Sequence, residues 1–308
     1  MQYARLGSTD LQVSKVALGT WVFGGSNWSG ADKTDCENTV SAALDAGINF
    51  IDTAPAYGWG LAETIAGTAV RNRRARVILA TKCGLKNSNS RPEICLKPDF
   101  IREDAERSLM QLGTDYIDLF QIHWPDPKTP IAESMGELAR LKQEGKIRHI
   151  GVCNFDAIQL AQAVECAPVA SVQNQFSFLK REEAESVFAI CRKAGISFLG
   201  YGTLGGGILS DKYRTAPEFA KTDARRFFYR HFSPNNGIFD RSASAAHGMS
   251  ELAARQNATA AQCAISWVLA HDAVTSALCG ARNPQQVREN AAAADLAIPL
   301  DAYAGIKY

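Results

Sequence analysis

The sequence has almost no net charge: 33 Lys and Arg stand against 32 Asp and Glu, a balance of +1. That excludes the dense basic face that nucleic acid or an anionic membrane surface requires. No run of about 18 apolar residues occurs, so nothing reads as a membrane-spanning helix, and Met1 to Arg5 hold no apolar signal core. Lipidation motifs are also missing. The cysteines Cys36, Cys83, Cys95, Cys153, Cys166, Cys191, Cys263 and Cys279 are scattered, with no C-x-x-C pair and no Cys/His group at zinc spacing. This argues against a metal centre, and for reduced thiols in a cytoplasmic protein.

The composition, 46% hydrophobic and 21% charged, is that of an ordinary folded chain. At about 150 residues per domain, 308 residues suggest two domains, but barrels of this size run as one. Such a chain buries roughly three-quarters of its unfolded surface and needs no disulfide or metal staple.

Short apolar runs alternate with helical patterns. Eight strands are expected, at 16–18, 49–54, 77–82, 116–123, 147–152, 170–173, 197–201 and 274–279. Most are apolar on both faces, as in parallel strands covered on both sides. Helices are expected at 34–46, opened by a Thr34/Glu37 capping box, and at 98–112, 181–194 and 284–295. Ile131, Met135, Leu138 and Leu141 draw one further helical stripe. Gly47, Gly113, Gly145 and Gly195 stand where helices take a left-handed terminal residue. With no linker between units, the pattern predicts one closed (β/α)8 barrel domain over residues 1–308, an open doubly wound sheet being the alternative. About 70 residues separate the last two strands. They hold a Pro-, Asn-, Arg- and Phe-rich stretch at 210–240, then helices near 242–256 and 259–271.

In such a barrel the reactive groups gather at the carboxyl ends of the strands. Asp52 ends the second strand and Tyr57 follows in its loop; Lys82 ends the third and His123 the fourth. Each alone has a bland reading as a cap, a rim lysine or a core histidine, but four on adjacent strands point to chemistry. A cationic lysine beside a phenol is expected to pull its pKa below about 10. Asp52 would hold the ammonium, and His123 would orient a carbonyl or help move a proton. Tyr57 then serves as general acid while a hydride reaches carbon.

The stretch Phe50-Ile51-Asp52-Thr53-Ala54-Pro55-Ala56-Tyr57-Gly58 resembles the aldo-keto reductase signature. Thr81-Lys82, Gln121-Ile122-His123-Trp124, Gly151-Val152-Cys153-Asn154-Phe155 and the segment from Gly280 to Asn290 fit that family in order. The chain looks most like its microbial branch, which is related to the potassium-channel β subunits. The resemblance implies a (β/α)8 barrel with an N-terminal β-hairpin, a long loop plus extra helix between strands seven and eight, and NADPH/NADP+ bound without a Rossmann domain. It implies catalytic roles for Tyr57, Asp52, Lys82 and His123. For the nicotinamide it implies Asn154 and Gln173 on the carboxamide and Tyr201 stacked on the ring, with Gly19, Thr20, Trp21 and Asp52 also beside the cofactor. Leu204, Gly206, Leu209 and Lys212 fall on a loop over the pyrophosphate, and Arg225 near the adenosine end. Gly280, Arg282, Gln286, Glu289 and Asn290 fall at the 2′-phosphate and adenine, where a helix start offers free N–H groups. Trp21, Tyr57, Trp59, His123 and Trp124 would line the pocket of a small carbonyl substrate, with rim packing the bland alternative for Trp59.

Cys153 stands where the family usually has serine, and a thiol donates poorly. Gly202-Thr203 replaces the usual Ser-Pro, which is expected to loosen the cofactor loop; Phe176 replaces a frequent Tyr as a packing change. Gly200-Tyr201-Gly202-Thr203-Leu204-Gly205 matches G-x-G-x-x-G formally, but in the seventh unit rather than the first. Trp267 reads as core, Trp28 has no clear place, and His149, His231, His247 and His271 read as surface or structural. Two other functions remain open: a regulatory NADP(H)-binding barrel with slow turnover, and a Schiff-base aldolase using Lys82.

Overall fold

The computed structural model describes residues 1–25, 32–88, 91–182, 184–219, 223, 225–226 and 237–308. An antiparallel hairpin leads, β1 (Tyr3–Arg5) and β2 (Gln12–Ser14). The barrel begins with β3 (Val16–Gly19), β4 (Phe50–Asp52) and β5 (Ile78–Cys83). A second hairpin, β6 (Leu85–Ser88) and β7 (Arg91–Ile94), projects after β5. The barrel continues with β8 (Ile117–Ile122), β9 (Ile147–Cys153), β10 (Val169–Gln175), β11 (Ser197–Tyr201) and β12 (Val274–Gly280). All eight barrel strands are parallel, and the ring closes where Ala277 of β12 pairs with Val16 of β3. Closure excludes the open doubly wound sheet and, with it, the Rossmann reading of Gly200–Gly205.

Around the ring lie α1 (Lys33–Asp45), α2 (Leu61–Val70), α3 (Pro98–Leu112), α4 (Ile131–Gln143), α5 (Ala157–Cys166) and α6 (Ala184–Ala194). Between β11 and β12 come α7 (Ile238–Gln256) and α8 (Ala260–Leu269), and α9 (Pro284–Ala292) follows β12. Gly47, Gly113, Gly145 and Gly195 all adopt positive φ at helix ends, as expected. The cap of α1 differs from expectation. Asp32, not Thr34, accepts the Thr34 N–H at 2.7 Å, so the helix starts one residue earlier. The helix α7 starts at Ile238 rather than at 242, and a 3₁₀ turn, Ala293–Asp295, completes the last helix. Trp28, His231 and residues 220–222, 224 and 227–236 of the long loop lie outside the described residues.

Alternation along the strands creates two cores. Phe50, Ile78, Ala80, Leu119, Ala170, Leu199 and Leu278 face inward, and Leu6, Leu11 and Val13 from the leading hairpin join them as a floor. Ile51, Leu79, Phe120, Val172 and Phe198 face outward against the helices. The same two-residue period carries each inward row upward to polar side chains. Asp52 follows Phe50, Lys82 follows Ala80, Gln121 and His123 follow Leu119, and Tyr201 follows Leu199. The site is therefore the top of the inner core.

Thr81, between two inward residues, points outward instead, and its hydroxyl donates to Glu63 of α2 at 2.6 Å. Glu63 is fully buried. Burial pushes its carboxyl up to about 7, against the hydrogen bond from Thr81. Folding therefore takes up a proton there. That contribution to stability is fully present below pH 4.5, the ordinary carboxyl value, and is lost as pH rises through about 7. Glu63→Gln keeps an acceptor for Thr81 and removes the titration. The variant is expected to gain on the order of 2–3 kcal/mol over wild type between acidic and mildly alkaline pH. Thermal melts of both proteins across that range check this; parallel curves contradict it.

Candidate active site

Lys82 and Asp52 lie inside the barrel, 1% and 2% exposed. Lys82 Nζ donates to Asp52 Oδ2 at 2.7 Å, to the Thr53 carbonyl at 2.9 Å and to Tyr57 Oη at 3.1 Å. An ammonium has three protons, and three acceptors take them. Burial works against the charge, but Asp52 and Tyr57 outweigh it and hold Lys82 well above the usual lysine value. An amine so held is no Schiff-base nucleophile, which weighs against the aldolase.

Tyr57 differs from the sequence-based expectation. Burial pushes its phenol up to about 12, and Lys82 only partly offsets this. The charge is near enough, but removing the phenolate from water costs more than one ammonium returns. The phenol thus keeps its proton at neutral pH. Because Lys82 donates to Oη, the Tyr57 hydroxyl proton must point elsewhere. The ring stacks on Trp21 at 5.9 Å and meets His123 edge-on at 5.8 Å. Burial, reinforced by Lys82, holds His123 well below the usual imidazole value, so it is neutral.

Asp52 Oδ1 accepts from Gln173 Nε2 at 2.7 Å and from Gln121 Nε2 at 3.2 Å. Gln121 is a participant that a search confined to ionisable groups does not find. Its signal is its position, two residues before His123 on the same inward face. Asn154, at positive φ, donates to the His123 carbonyl at 2.9 Å and accepts from the Tyr201 hydroxyl at 2.8 Å. Cys153 is buried, and burial keeps its thiol protonated by pushing it far up.

The remaining residues singled out in the sequence sit at the closing seam, in loops after the strands, around α9 and in the outer core. Gly19 and Gly280 face each other across the closing seam, and the Thr20 hydroxyl donates to the Asp52 carbonyl at 3.0 Å. Trp59 and Trp124 are half-buried beyond β4 and β8. Leu204 is half-buried and Leu209 fully buried beside the positive-φ pair Gly206 and Gly207. A side chain at Gly207 would put its Cβ 3.0 Å from Lys212 Nζ, so this turn is open to that ammonium. Thr203 does not loosen the loop: it is 2% exposed, and its hydroxyl reaches the Leu278 carbonyl at 3.4 Å. Arg225 is held by Asp223 and lies over the Phe219 ring at 4.2 Å. At the start of α9, Gln286 accepts the Arg282 N–H at 2.9 Å, Glu289 accepts from Thr259 at 2.6 Å, and Asn290 donates to the Gly280 carbonyl at 3.3 Å. The Arg282 guanidinium makes no ion pair among the described residues. Phe176 and Trp267 stack at 5.2 Å in the outer core, as packing groups. Among the described residues no group of three His, Cys, Asp or Glu could hold a metal, and no helix is long and apolar enough to cross a membrane.

A sequence model of the Aldo/keto reductase family matches residues 15–307. The chain is 38% identical to the aldo-keto reductase YhdN of Bacillus subtilis over 290 residues, 93% of this chain and 87% of that one. It is 34% identical to the NADH-specific methylglyoxal reductase of Escherichia coli, across 96% of this chain and 94% of that one. Among solved structures it resembles the glycerol dehydrogenase AKR11B4 of Gluconobacter oxydans, with a TM-score of 0.89, 36% identity, and coverage of 99% and 93%. With a catalytic-type cluster at the carboxyl end of a closed barrel and these likenesses over nearly its full length, the chain belongs to the aldo/keto reductase family of oxidoreductases.

Proposed function

We propose that this protein, working as one domain of residues 1–308 in the cytoplasm, reduces aldehydes or ketones to alcohols with NADPH. The observation that carries the reading is the Tyr57 hydroxyl, protonated and accepting from a charged Lys82 at 3.1 Å. Its own proton is thereby left for a substrate oxygen. Neutral His123 beside it serves as hydrogen-bond partner to the carbonyl and steers that oxygen toward Tyr57. Lys82, anchored by Asp52, steadies the phenolate left after proton transfer.

The residues fit a nicotinamide dinucleotide phosphate. Lys212 stands at the glycine turn and Arg282, free of ion pairs among the described residues, at the start of α9. Cations at two places suit two phosphate positions. Asn154, Gln173 and Tyr201 would hold the nicotinamide end, with Gly19, Thr20 and Trp21 beside it. Leu204, Gly206, Leu209 and Lys212 would cover the pyrophosphate, with Arg225 near the adenosine. Gly280, Arg282, Gln286, Glu289 and Asn290 would hold the adenine and 2′-phosphate. When bound, the cofactor supplies the hydride. Trp21, Trp59 and Trp124 would wall the substrate pocket.

Arg282→Ala is expected to weaken NADPH roughly 10- to 100-fold while changing NADH much less, since only NADPH carries the 2′-phosphate. Fluorescence titration with both cofactors measures this; equal weakening would place the preference elsewhere. The function itself is tested by following NADPH oxidation at about 340 nm with a panel of small aldehydes and ketones. Turnover supports the reductase. Tight NADPH binding without turnover on any member would favour the regulatory barrel.

A further inference from the structure

Gln121 is 0% exposed and belongs to none of the roles assigned above. Its amide nitrogen lies 3.2 Å from Asp52 Oδ1, and the amide nitrogen of Gln173 lies 2.7 Å from the same oxygen. The two amides are joined in turn, Gln173 Nε2 standing 3.4 Å from Gln121 Oε1. A carboxylate only accepts, so each amide must present its NH2 to Asp52, and neither can be flipped without setting oxygen against oxygen. The carboxylate is thus divided: Oδ1 belongs to the amides and Oδ2 to Lys82.

The neighbouring strand is built to admit Gln121. Gly151 is its register partner, and a Cβ there would lie 2.8 Å from Gln121 Cγ and 2.7 Å from Ser171 Oγ. A side chain at 151 would displace the amide, so the space for it depends on that glycine.

We propose that Gln121 is a positioning residue. With Gln173 it fixes the Asp52 carboxylate so that Oδ2 stays on Lys82 and Lys82 stays on Tyr57. The titratable groups facing Asp52 are Lys82, Tyr57 and Cys153, and none of them can take the amide's place: Lys82 has already committed its three protons, Tyr57 is bound to Lys82, and the Cys153 thiol is only a weak donor. The kinetic part of this inference rests on Tyr57 being the proton donor.

Two variants test it. Gln121→Leu keeps the bulk and removes the donor. It is expected to lower kcat roughly 10- to 100-fold at every pH, with NADPH affinity by fluorescence titration nearly unchanged. Gln121→Glu replaces the donor by a group that donates only when protonated. Its kcat is expected to approach wild type near pH 5 and to fall as pH rises toward about 8, because two carboxylates at this distance cannot both ionise cheaply.

A second readout needs no turnover. The carboxyl introduced by Gln121→Glu must take up a proton on folding, so its folded pKa lies above its unfolded one. The melting-temperature gap between Gln121→Glu and wild type should therefore widen as pH rises over the same range. The Gln121→Leu gap should stay level. A Gln121→Leu kcat within about threefold of wild type, or pH-independent losses in Gln121→Glu by both readouts, overturns the proposal. Should wild type reduce no carbonyl, the reductase reading fails alone. The widening melting gap then still establishes the clamp on Asp52, and a level gap refutes it.

Discussion

Tyr57→Phe is expected to cut carbonyl turnover about 100- to 10,000-fold while NADPH binding stays close to wild type. The removed atom is a single hydroxyl, yet it makes two connections. Its oxygen accepts from Lys82 at 3.1 Å, and its proton is the one left for substrate. Phenylalanine keeps the ring that stacks on Trp21 at 5.9 Å and meets His123 at 5.8 Å, so packing is preserved and the loss is chemical. Lys82 retains two of its acceptors, Asp52 and Thr53. No neighbour substitutes as acid: His123 is held neutral by burial, and Cys153 has its thiol pushed up by burial but offers only a weak donor. A phenol near 12 is still a strong enough acid here, because an alkoxide developing on the carbonyl oxygen is more basic, closer to the ~15.7 of water. Single-turnover absorbance for chemistry and fluorescence titration for binding separate the two effects. A variant within tenfold of wild type would remove Tyr57 from the acid role.

Lys82→Met should be the most damaging single change in the barrel, with turnover abolished and a stability loss of about 3–5 kcal/mol. Methionine fills the space but leaves the Asp52 carboxylate, 2% exposed, with two neutral amides in place of a cation. The cost is that of an uncompensated buried charge rather than the worth of the lost pair. The double variant with Asp52→Asn removes that charge and should regain much of the stability without regaining activity. Denaturant unfolding of the two variants beside wild type measures the difference. Equal losses in single and double variants would show that packing, not charge, sets the cost.

The strands are legible in the sequence because parallel strands buried on both faces read as short apolar runs. Asp52, Lys82 and His123 are legible because each interrupts such a run near its carboxyl end. The helix α2 is not: Gly60, at positive φ, caps it without a side-chain hydrogen bond, and the segment before it carries no capping residue to read. The helix α5 offers more, since Asp156 and Gln159 form a full capping box, a signal that the strand-and-glycine pattern alone does not use. Gln121 escapes because it carries no charge, although its parity with His123 places it on the inner face. The raised value of Tyr57 is beyond sequence, because a local pairing with lysine can be guessed from spacing whereas depth below the surface cannot.

The seam between β3 and β12 sets the order in which the molecule can be made. Val16 waits for Ala277, roughly 260 residues later along the chain, before it has a partner. During synthesis the first strand, and the Leu6, Leu11 and Val13 floor beside it, emerge long before the strand that completes their enclosure. Until β12 is released, β3 and β11 are both raw edges, and the charged site above them has no finished wall. The nascent chain therefore stays open to misassociation until β12 emerges, and the lysine–aspartate pair becomes dry only when the ring shuts.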